Sequence, residues 1–331
     1  MITMSWRNRP VLVTGATGFI GSHLAERLVV EGARVRVLVR DPQKLIPALI
    51  DRVELARGDL LQPAGFASAV RGCEIVFHVA AWLGTPPKKE AAYTLNVTAT
   101  RQLAEAARDA GVQRFVGTSS VAVYGPVKAG VVDETWPHWN VYAYAETKSQ
   151  SEPAAFAAMT DRFGVSVIRP VEVYGPRGGA WTTLPINLAK RGLPMLIGGG
   201  QGYSHPVYVE NLVDAYLLAA TRDEAVGEAF TICDADLPWR EFYGRYAALV
   251  GKPARSAPTW AAWCGALATE LKAALTHQTT DVSRVQLGFM TGRCVYSTEK
   301  ARRLLGWSPC YTLDEGMQRT AAWLRETEMI N

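Results

Sequence analysis

Val11-Leu-Val-Thr-Gly15-Ala-Thr-Gly18-Phe-Ile-Gly21-Ser-His-Leu24, close to the N-terminus, is the stretch that decides the fold. Its aliphatic start reads as a short buried strand, its glycines as a tight turn, and the residues from Phe19 onward as the opening of a helix. Glycines three apart let the backbone pass close to a bulky anion, and the free N–H groups of a helix start point at negative charge. The run therefore predicts a pyrophosphate-binding turn built from Gly15, Thr17, Gly18, Phe19, Ile20 and Gly21, and with it a dinucleotide and hydride chemistry. Its GxxGxxG spacing differs from the GxGxxG of the generic fingerprint, and glycine turns also serve purely steric ends.

Working outward, apolar runs at Val11–Val13, Val35–Val39, Val53–Leu55, Ile75–Val79, Phe115–Val116 and Val165–Ile168 alternate with helical stretches such as Ser22–Val30 and Thr94–Ala110. That rhythm predicts an α/β fold: a Rossmann-type, doubly wound parallel sheet with helices on both faces. Gly32, Gly72, Gly111 and Gly164 each precede a strand, where helices commonly stop. After Gly175-Pro176 the rhythm loosens, with helical segments near Thr183–Arg191, Asn211–Thr221, Trp239–Val250, Trp260–Leu275, Ser297–Leu305 and Leu313–Arg325. We expect a nucleotide-binding domain over 1–175 and a smaller, mostly helical substrate lobe over 176–331, some of whose segments return to the sheet.

Composition narrows the partners. The chain has 331 residues, 48% of them hydrophobic, which is ample for a core. Thirty-five basic against 31 acidic residues, a net charge of +4, is too mild and too dispersed to argue for nucleic acid or an anionic membrane as the main partner. Five widely spaced cysteines with no CxxC pair suit reduced thiols in a cytoplasmic protein better than disulfides or a zinc site, so no metal is expected. A short polar leader precedes the first strand, with no evident signal peptide. The most lipid-like segment, Trp260–Leu275, is shorter than the roughly 20 apolar residues of a membrane span and carries Glu270 and Lys272. It reads as a buried or half-buried helix, or alternatively as one lining an apolar pocket or touching a membrane surface.

Catalytic chemistry is suggested by Tyr144-Ala-Glu-Thr-Lys148, inside a helix-compatible run from Ala143 to Phe163. Residues four apart share a helix face, so phenol and ammonium can meet one ligand, and the neighbouring charge favours phenolate. Two other YxxxK matches are weaker: Tyr124/Lys128 spans Gly-Pro, and Tyr296/Lys300 straddles a helix start. Thr118-Ser119-Ser120 closes the fifth strand, at the end of a parallel sheet where ligands bind, and its hydroxyls could bond a reacting oxygen. Such polar turns also have structural uses.

These residues carry a family resemblance. Thr14-Gly15-x-x-Gly18-Phe-x-Gly21, Asp59-Leu60, Val79-Ala80-Ala81, Asn96-Val97, Ser119-Ser120-x-x-Val123-Tyr124-Gly125, Tyr144-x-x-x-Lys148 and Arg169-Pro170-x-x-Val173-Tyr174-Gly175-Pro176 stand in the order of the extended short-chain dehydrogenases/reductases, the epimerase/dehydratase superfamily. Pro206-Val-Tyr208-Val-Glu-Asn211 and Lys300-Ala-x-x-Leu-Leu-Gly306-Trp307 extend the likeness over nearly the whole chain. The resemblance implies Tyr144 as general acid/base, Lys148 holding the nicotinamide ribose and lowering the tyrosine pKa, Ser120 orienting the reacting oxygen and Asn96 supporting the site. It also implies cofactor contacts from Asp59, Leu60, Val79, Ala80, Ala81, Pro170 and Val173, and a homodimer.

The second strand ends at Arg40-Asp41-Pro42. An arginine at that tip can meet a 2′-phosphate, whereas an acidic residue there binds the ribose 2′-OH of NAD. Arg40 thus favours NADP(H), with NAD(H) possible if Asp41 takes the ribose. Nucleotide-sugar epimerases and dehydratases resemble this chain but commonly carry an Asn where Glu172 stands and an Arg where Ser204-His205-Pro206 falls; a carboxylate there would repel a diphosphate, and the missing guanidinium is a lost phosphate clamp. The runs at Tyr208–Asn211 and Thr291–Tyr296 look instead like the 3β-hydroxysteroid dehydrogenase, sterol dehydrogenase and dihydroflavonol reductase-like branches. We therefore expect an alcohol/ketone oxidoreductase acting on a small molecule, with an apolar one suited to the chain's tryptophans, and with Glu172, Trp82 and Ser204 as substrate contacts; Glu172 reads equally well as a solvent-facing carboxylate. A nucleotide-sugar epimerase or dehydratase, and a non-catalytic NADP(H)-binding sensor, are the alternatives.

Overall fold

The structure is a computed structural model that describes residues 5–83, 89–276 and 283–331. Seven parallel strands form its central sheet: β1 (Pro10–Thr14), β2 (Arg34–Val39), β3 (Glu54–Arg57), β4 (Ile75–His78), β5 (Arg114–Thr118), β6 (Gly164–Pro170) and β7 (Ala229–Ile232). Their spatial order is β7-β6-β5-β4-β1-β2-β3, so the chain reverses direction across the sheet between β1 and β4. In such sheets a crevice opens at the carboxyl ends of the strands beside that reversal. Val11 pairs with Val35 on one side and Ile75 on the other, fixing the register of the three strands that frame it.

The sheet is apolar on both faces. Val11, Leu12 and Val13 are all fully buried, yet Leu12 joins one core cluster while Val11 and Val13 join the other. Alternate side chains of a strand point to opposite faces, so a continuous aliphatic run is what a sheet covered twice requires. Each such side chain removed from water contributes about 1.5–3 kcal/mol.

Helix α1 (Phe19–Val30) follows β1 through the glycine turn. Gly15 has φ of +77°, and a Cβ there would stand 2.7 Å from the Ala80 nitrogen; a Cβ on Gly21 would stand 2.2 Å from the Gly15 carbonyl oxygen. These two positions exclude a side chain because strand, turn and helix are in backbone contact. Helix α2 (Ala99–Asp109) continues from a wider turn over Thr94–Thr98, and α3 (Ala143–Phe156) lies between β5 and β6. The helix expected to run to Phe163 stops at Phe156, and Thr160 instead bridges Phe163 before β6. Gly32, Gly72 and Gly111 sit in left-handed turns, whereas Gly164 is already the first residue of β6.

The C-terminal half contributes β7 to the sheet, and α4 (Val209–Thr221) packs beside α1. His23 of α1 reaches Glu210 through Nδ1 at 2.5 Å and the Pro176 carbonyl through Nε2 at 2.9 Å. Away from the sheet lie α5 (Trp239–Leu249), α6 (Thr259–Thr276), α7 (Arg284–Thr291) and α8 (Leu313–Glu326). Two small parallel pairs, Glu172–Tyr174 with Pro206–Tyr208 and Ala129–Val132 with Arg293–Tyr296, tie distant segments together. Helix α6 corrects one expectation: it is neither buried nor half-buried as a whole, since Trp260, Leu271 and Leu275 are exposed and Ala266 is the member wholly enclosed. No helix among the described residues is long and apolar enough to cross a membrane, and all five cysteines are free thiols.

Candidate active site

The carboxyl ends of β1, β2, β3, β4, β5 and β6 bring the expected residues to one edge of the sheet. The glycine turn leaves β1, Arg40 follows β2, Asp59 and Leu60 follow β3, Val79–Ala81 follow β4, Ser119 and Ser120 follow β5, and Pro170 ends β6. Gly18 caps α1 in extended conformation with no side chain over the helix start, so its N–H groups stay accessible to an anion. The Thr14 hydroxyl meets His78 Nδ1 at 2.8 Å and accepts from the Ala80 N–H at 3.3 Å, locking the glycine turn to the end of β4. Arg40 is exposed and makes no ion pair among the described residues. Asp41 is engaged locally, accepting from the Gln43 N–H at 3.1 Å.

On α3, Tyr144, Lys148 and Glu152 follow one another at four-residue intervals and so share a face. The Tyr144 phenol lies by the Ser120 side chain, whose hydroxyl favours its ionised form. Ser120 Oγ accepts from the Ala122 N–H at 3.2 Å, which holds it at the head of the short turn Val121–Tyr124. Lys148 is 3% exposed and gives its ammonium to the Thr118 carbonyl at 2.7 Å. Burial lowers its pKa to about 8 against the opposing pull of Glu152. Burial moves Tyr144 the other way, up to about 12, with the Ser120 hydroxyl working against it. The expected depression of the Tyr144 pKa by Lys148 is thus not what this arrangement produces: the half-buried phenol is held neutral, as a proton donor. The Ser119 hydroxyl, buried beside these groups, has no hydrogen-bond partner. An orphaned hydroxyl, an ammonium resting on a carbonyl and an open helix start fit a ribose and a pyrophosphate.

Among the described residues, Asn96 makes no hydrogen bond to Tyr144 or Lys148. It accepts from the Trp82 N–H at 2.7 Å, donates to the Trp82 carbonyl at 3.2 Å and donates to Thr147 Oγ1 at 3.0 Å. It therefore pins the segment after β4 to α3, next to the residues expected to act. Trp82 itself is half-buried. Ser204 is fully buried and donates to the Leu237 carbonyl at 3.1 Å, which places its hydroxyl in the packing of the lobe. Glu172 is half-buried, not solvent-facing, and accepts from the His205 N–H at 2.9 Å. Burial raises its pKa, against the nearby His205. His205 Nδ1 meets Asp236 at 2.5 Å. Although burial opposes its charge, that bond with help from Cys294 and Glu172 holds the imidazolium up to about 10. One imidazolium thus stands between two carboxylates.

Several participants were not foreseen from sequence. His78 bridges Thr14 and Thr100, and burial, helped by the Lys148 charge, drops its pKa to about 3, so it is a neutral spacer. Glu152 receives Arg169 through two bonds, Nε at 2.9 Å and Nη2 at 2.5 Å, and Arg169 also donates to the Tyr124 hydroxyl at 2.7 Å. The third step of the 144/148/152 spacing was the signal that could have found it. Aromatic rings crowd the mouth: Tyr142 lies 6.3 Å from Tyr144 and 6.4 Å, edge-on, from Phe289 of α7. An open cavity of about 390 Å³, lined by Tyr124, Trp136, His138 and Trp139 among others, includes neither Tyr144 nor Ser120 nor Lys148.

Known proteins resemble this chain in sequence and fold. The model of the NAD dependent epimerase/dehydratase family matches residues 11–233. Mouse sterol-4-alpha-carboxylate 3-dehydrogenase, decarboxylating, is 31% identical over 93% of this chain and 89% of its own. The UDP-glucose 4-epimerase of Vibrio cholerae is 29% identical over 95% of this chain and 94% of its own. The solved structure of MoeE5 in complex with UDP-glucose and NAD superposes with a TM-score of 0.77 at 27% identity, over 96% of this chain and 99% of that one. With a seven-stranded Rossmann sheet, an open glycine turn and a tyrosine–lysine helix at its carboxyl edge, the chain belongs to the NAD-dependent epimerase/dehydratase family and is an extended short-chain dehydrogenase/reductase.

Proposed function

We propose that this chain interconverts an alcohol and a ketone or aldehyde with net transfer of hydride, using NADP(H) in preference to NAD(H). The observation that carries the reading is the Tyr144 phenol beside the Ser120 hydroxyl and one helical turn from buried Lys148. A nicotinamide cofactor, when bound, supplies the hydride in the reducing direction. The protein's own groups do the rest. Tyr144, held neutral, gives its hydroxyl proton to the substrate oxygen as that oxygen gains charge, and Ser120 donates a hydrogen bond to the same atom. Lys148, whose ammonium rests on the Thr118 carbonyl, would hold the ribose hydroxyls of the bound cofactor. Gly15–Gly21, Asp59, Leu60, Val79–Ala81, Pro170 and Val173 line the dinucleotide, with Asn96 as a positioning residue.

Arg40, exposed and without an ion-pair partner among the described residues, supports NADP(H), since Asp41 is already engaged with Gln43. Glu172 and Asp236 flanking His205 argue against a nucleotide diphosphate, which would face a net negative cluster. The aromatic surroundings of Tyr144, Tyr142 and Phe289 suit an apolar substrate, as does the sterol dehydrogenase among the relatives. The same reading carries a homodimer in the cytoplasm. The likeness to UDP-glucose 4-epimerase supports a second reading, internal oxidation and reduction of a nucleotide sugar on a retained NAD. Tyr144→Phe tests the assignment of roles: cofactor binding by fluorescence titration should persist while ketone turnover disappears, and turnover retained within tenfold would refute it.

A further inference from the structure

Helix α6 carries a feature that neither the sheet nor the cleft uses. Trp260, Trp263, Leu267, Leu271 and Leu275 recur at spacings of three and four, so they form one stripe along the 18-residue helix. All five are exposed, at 72%, 40%, 42%, 57% and 84%, while Ala266, on the flank of the stripe next to Trp263, is buried. A stripe that apolar has no reason to face water unless something covers it. Its one acidic residue is neutralised: Glu270 accepts the Arg284 N–H at 2.7 Å and Nε at 2.8 Å. Lys272 is the helix's remaining charge, with no ion pair among the described residues.

A second observation says what covers it. The strand Ser256–Ala257 leads straight into α6 and pairs with Leu196–Ile197. Around that junction gather four exposed cations, Lys190, Arg191, Lys252 and Arg255. Lys252 donates to the Lys190 carbonyl at 2.5 Å, the Arg255 carbonyl accepts from Met195 and Leu196, and the Arg255 guanidinium lies against Gly192. None of the four meets a carboxylate among the described residues. An apolar stripe with tryptophans at the end where cations cluster is the pattern of a helix lying in the plane of an anionic lipid surface: tryptophan prefers the headgroup level, and the cations meet lipid phosphates and carboxylates. The helix is also not of the kind that spans a membrane.

We propose that α6 docks this protein peripherally onto anionic bilayers, its Trp260–Leu275 stripe inserted among the headgroups and the Lys190/Arg191/Lys252/Arg255 cluster on the lipid charges. The Glu270–Arg284 link ties α6 to α7, whose Phe289 touches Tyr142 beside Tyr144, so the lipid-facing helix and the catalytic cleft share a wall. The proposal stands apart from the identity of the substrate.

The test is co-sedimentation of the full chain with sucrose-loaded vesicles of phosphatidylcholine alone and of phosphatidylcholine with about one third phosphatidylserine. We expect binding to the anionic vesicles, weakened at least tenfold by high salt and by Trp260→Ser/Trp263→Ser. Lys252→Glu/Arg255→Glu should weaken it more than tenfold, each cation at such a surface being worth about fivefold. Because these side chains are exposed, thermal midpoints and cofactor binding should stay at wild-type values, which separates lost docking from lost folding. Failure to sediment with the anionic vesicles overturns the proposal, as does sedimentation that both double variants retain. Self-association abolished by Trp260→Ser/Trp263→Ser without vesicle binding also overturns it, assigning the stripe to a second copy of the chain.

Discussion

Replacing Lys148 by methionine should make the protein inactive and, near neutral pH, no less stable. The ammonium is buried, and its pKa stands at about 8 in the folded protein against 10.5 in the unfolded chain. At about 1.36 kcal/mol per pH unit, that difference is worth about 3 kcal/mol. The sign follows from linkage. Between pH 8 and 10.5 the unfolded chain binds a proton that the folded protein does not, so this group makes stability rise with pH across that window. Below pH 8 its cost is fully present. Methionine removes the charge but orphans the Thr118 carbonyl that Lys148 contacts, a loss of about 1–3 kcal/mol. The net at pH 7 is a variant as stable as wild type or more stable by up to about 2 kcal/mol. By pH 10 most of that advantage should have reversed. Urea unfolding of both proteins at pH 7 and pH 10 checks this, because every other titrating group cancels in the difference. A wild-type-minus-variant difference that changes by less than about 0.5 kcal/mol between the two pH values would refute the argument that Lys148 is held in an unfavourable charged state for function.

Other outcomes follow from the same geometry. Arg40→Ala should weaken NADPH about 10–100-fold in fluorescence titrations while leaving NADH nearly unchanged, the scale of one charge-assisted phosphate contact; equal loss for both would remove Arg40 from cofactor choice. Glu152→Ala strips the carboxylate from a pair whose side chains are only 4% and 6% exposed, and chemical denaturation should show a loss of about 3–5 kcal/mol. Asp236→Asn removes the main support of the His205 imidazolium, so wild-type stability held below pH 6.5 and lost as pH rises through about 10 should give way, in the variant, to a loss at lower pH. A pH-scanned thermal melt of both proteins reads that shift.

The sheet was legible because Val11–Val13, Val37–Val39, Ile75–Phe77 and Val167–Ile168 are short apolar runs, and such runs are needed where both faces are covered. Tyr144 and Lys148 were legible because four-residue spacing has a direct meaning on a helix. Ser204 was not, because a hydroxyl two residues from a proline looks the same whether it faces a cleft or a neighbouring carbonyl. Helix α6 shows the same limit: its hydrophobic stripe is evident in sequence, but whether a stripe faces core or solvent depends on what the rest of the chain brings beside it. Glu152 with Arg169, and His205 with Asp236, pair residues 17 and 31 positions apart, a relation that tertiary structure alone creates. The direction of the Tyr144 pKa likewise depended on enclosure, which outweighs a lysine whose ammonium points to Thr118.

The central claim is net hydride transfer, and cofactor stoichiometry tests it most directly. Purified protein stripped of nucleotide is mixed with NADPH and a panel of apolar ketones and nucleotide sugars, and absorbance at the reduced-nicotinamide band is followed beside product analysis. The account predicts one NADPH oxidised per ketone reduced, with nucleotide sugars untouched. Conversion of a nucleotide sugar with no net change in absorbance, on NAD retained by the protein, would contradict it.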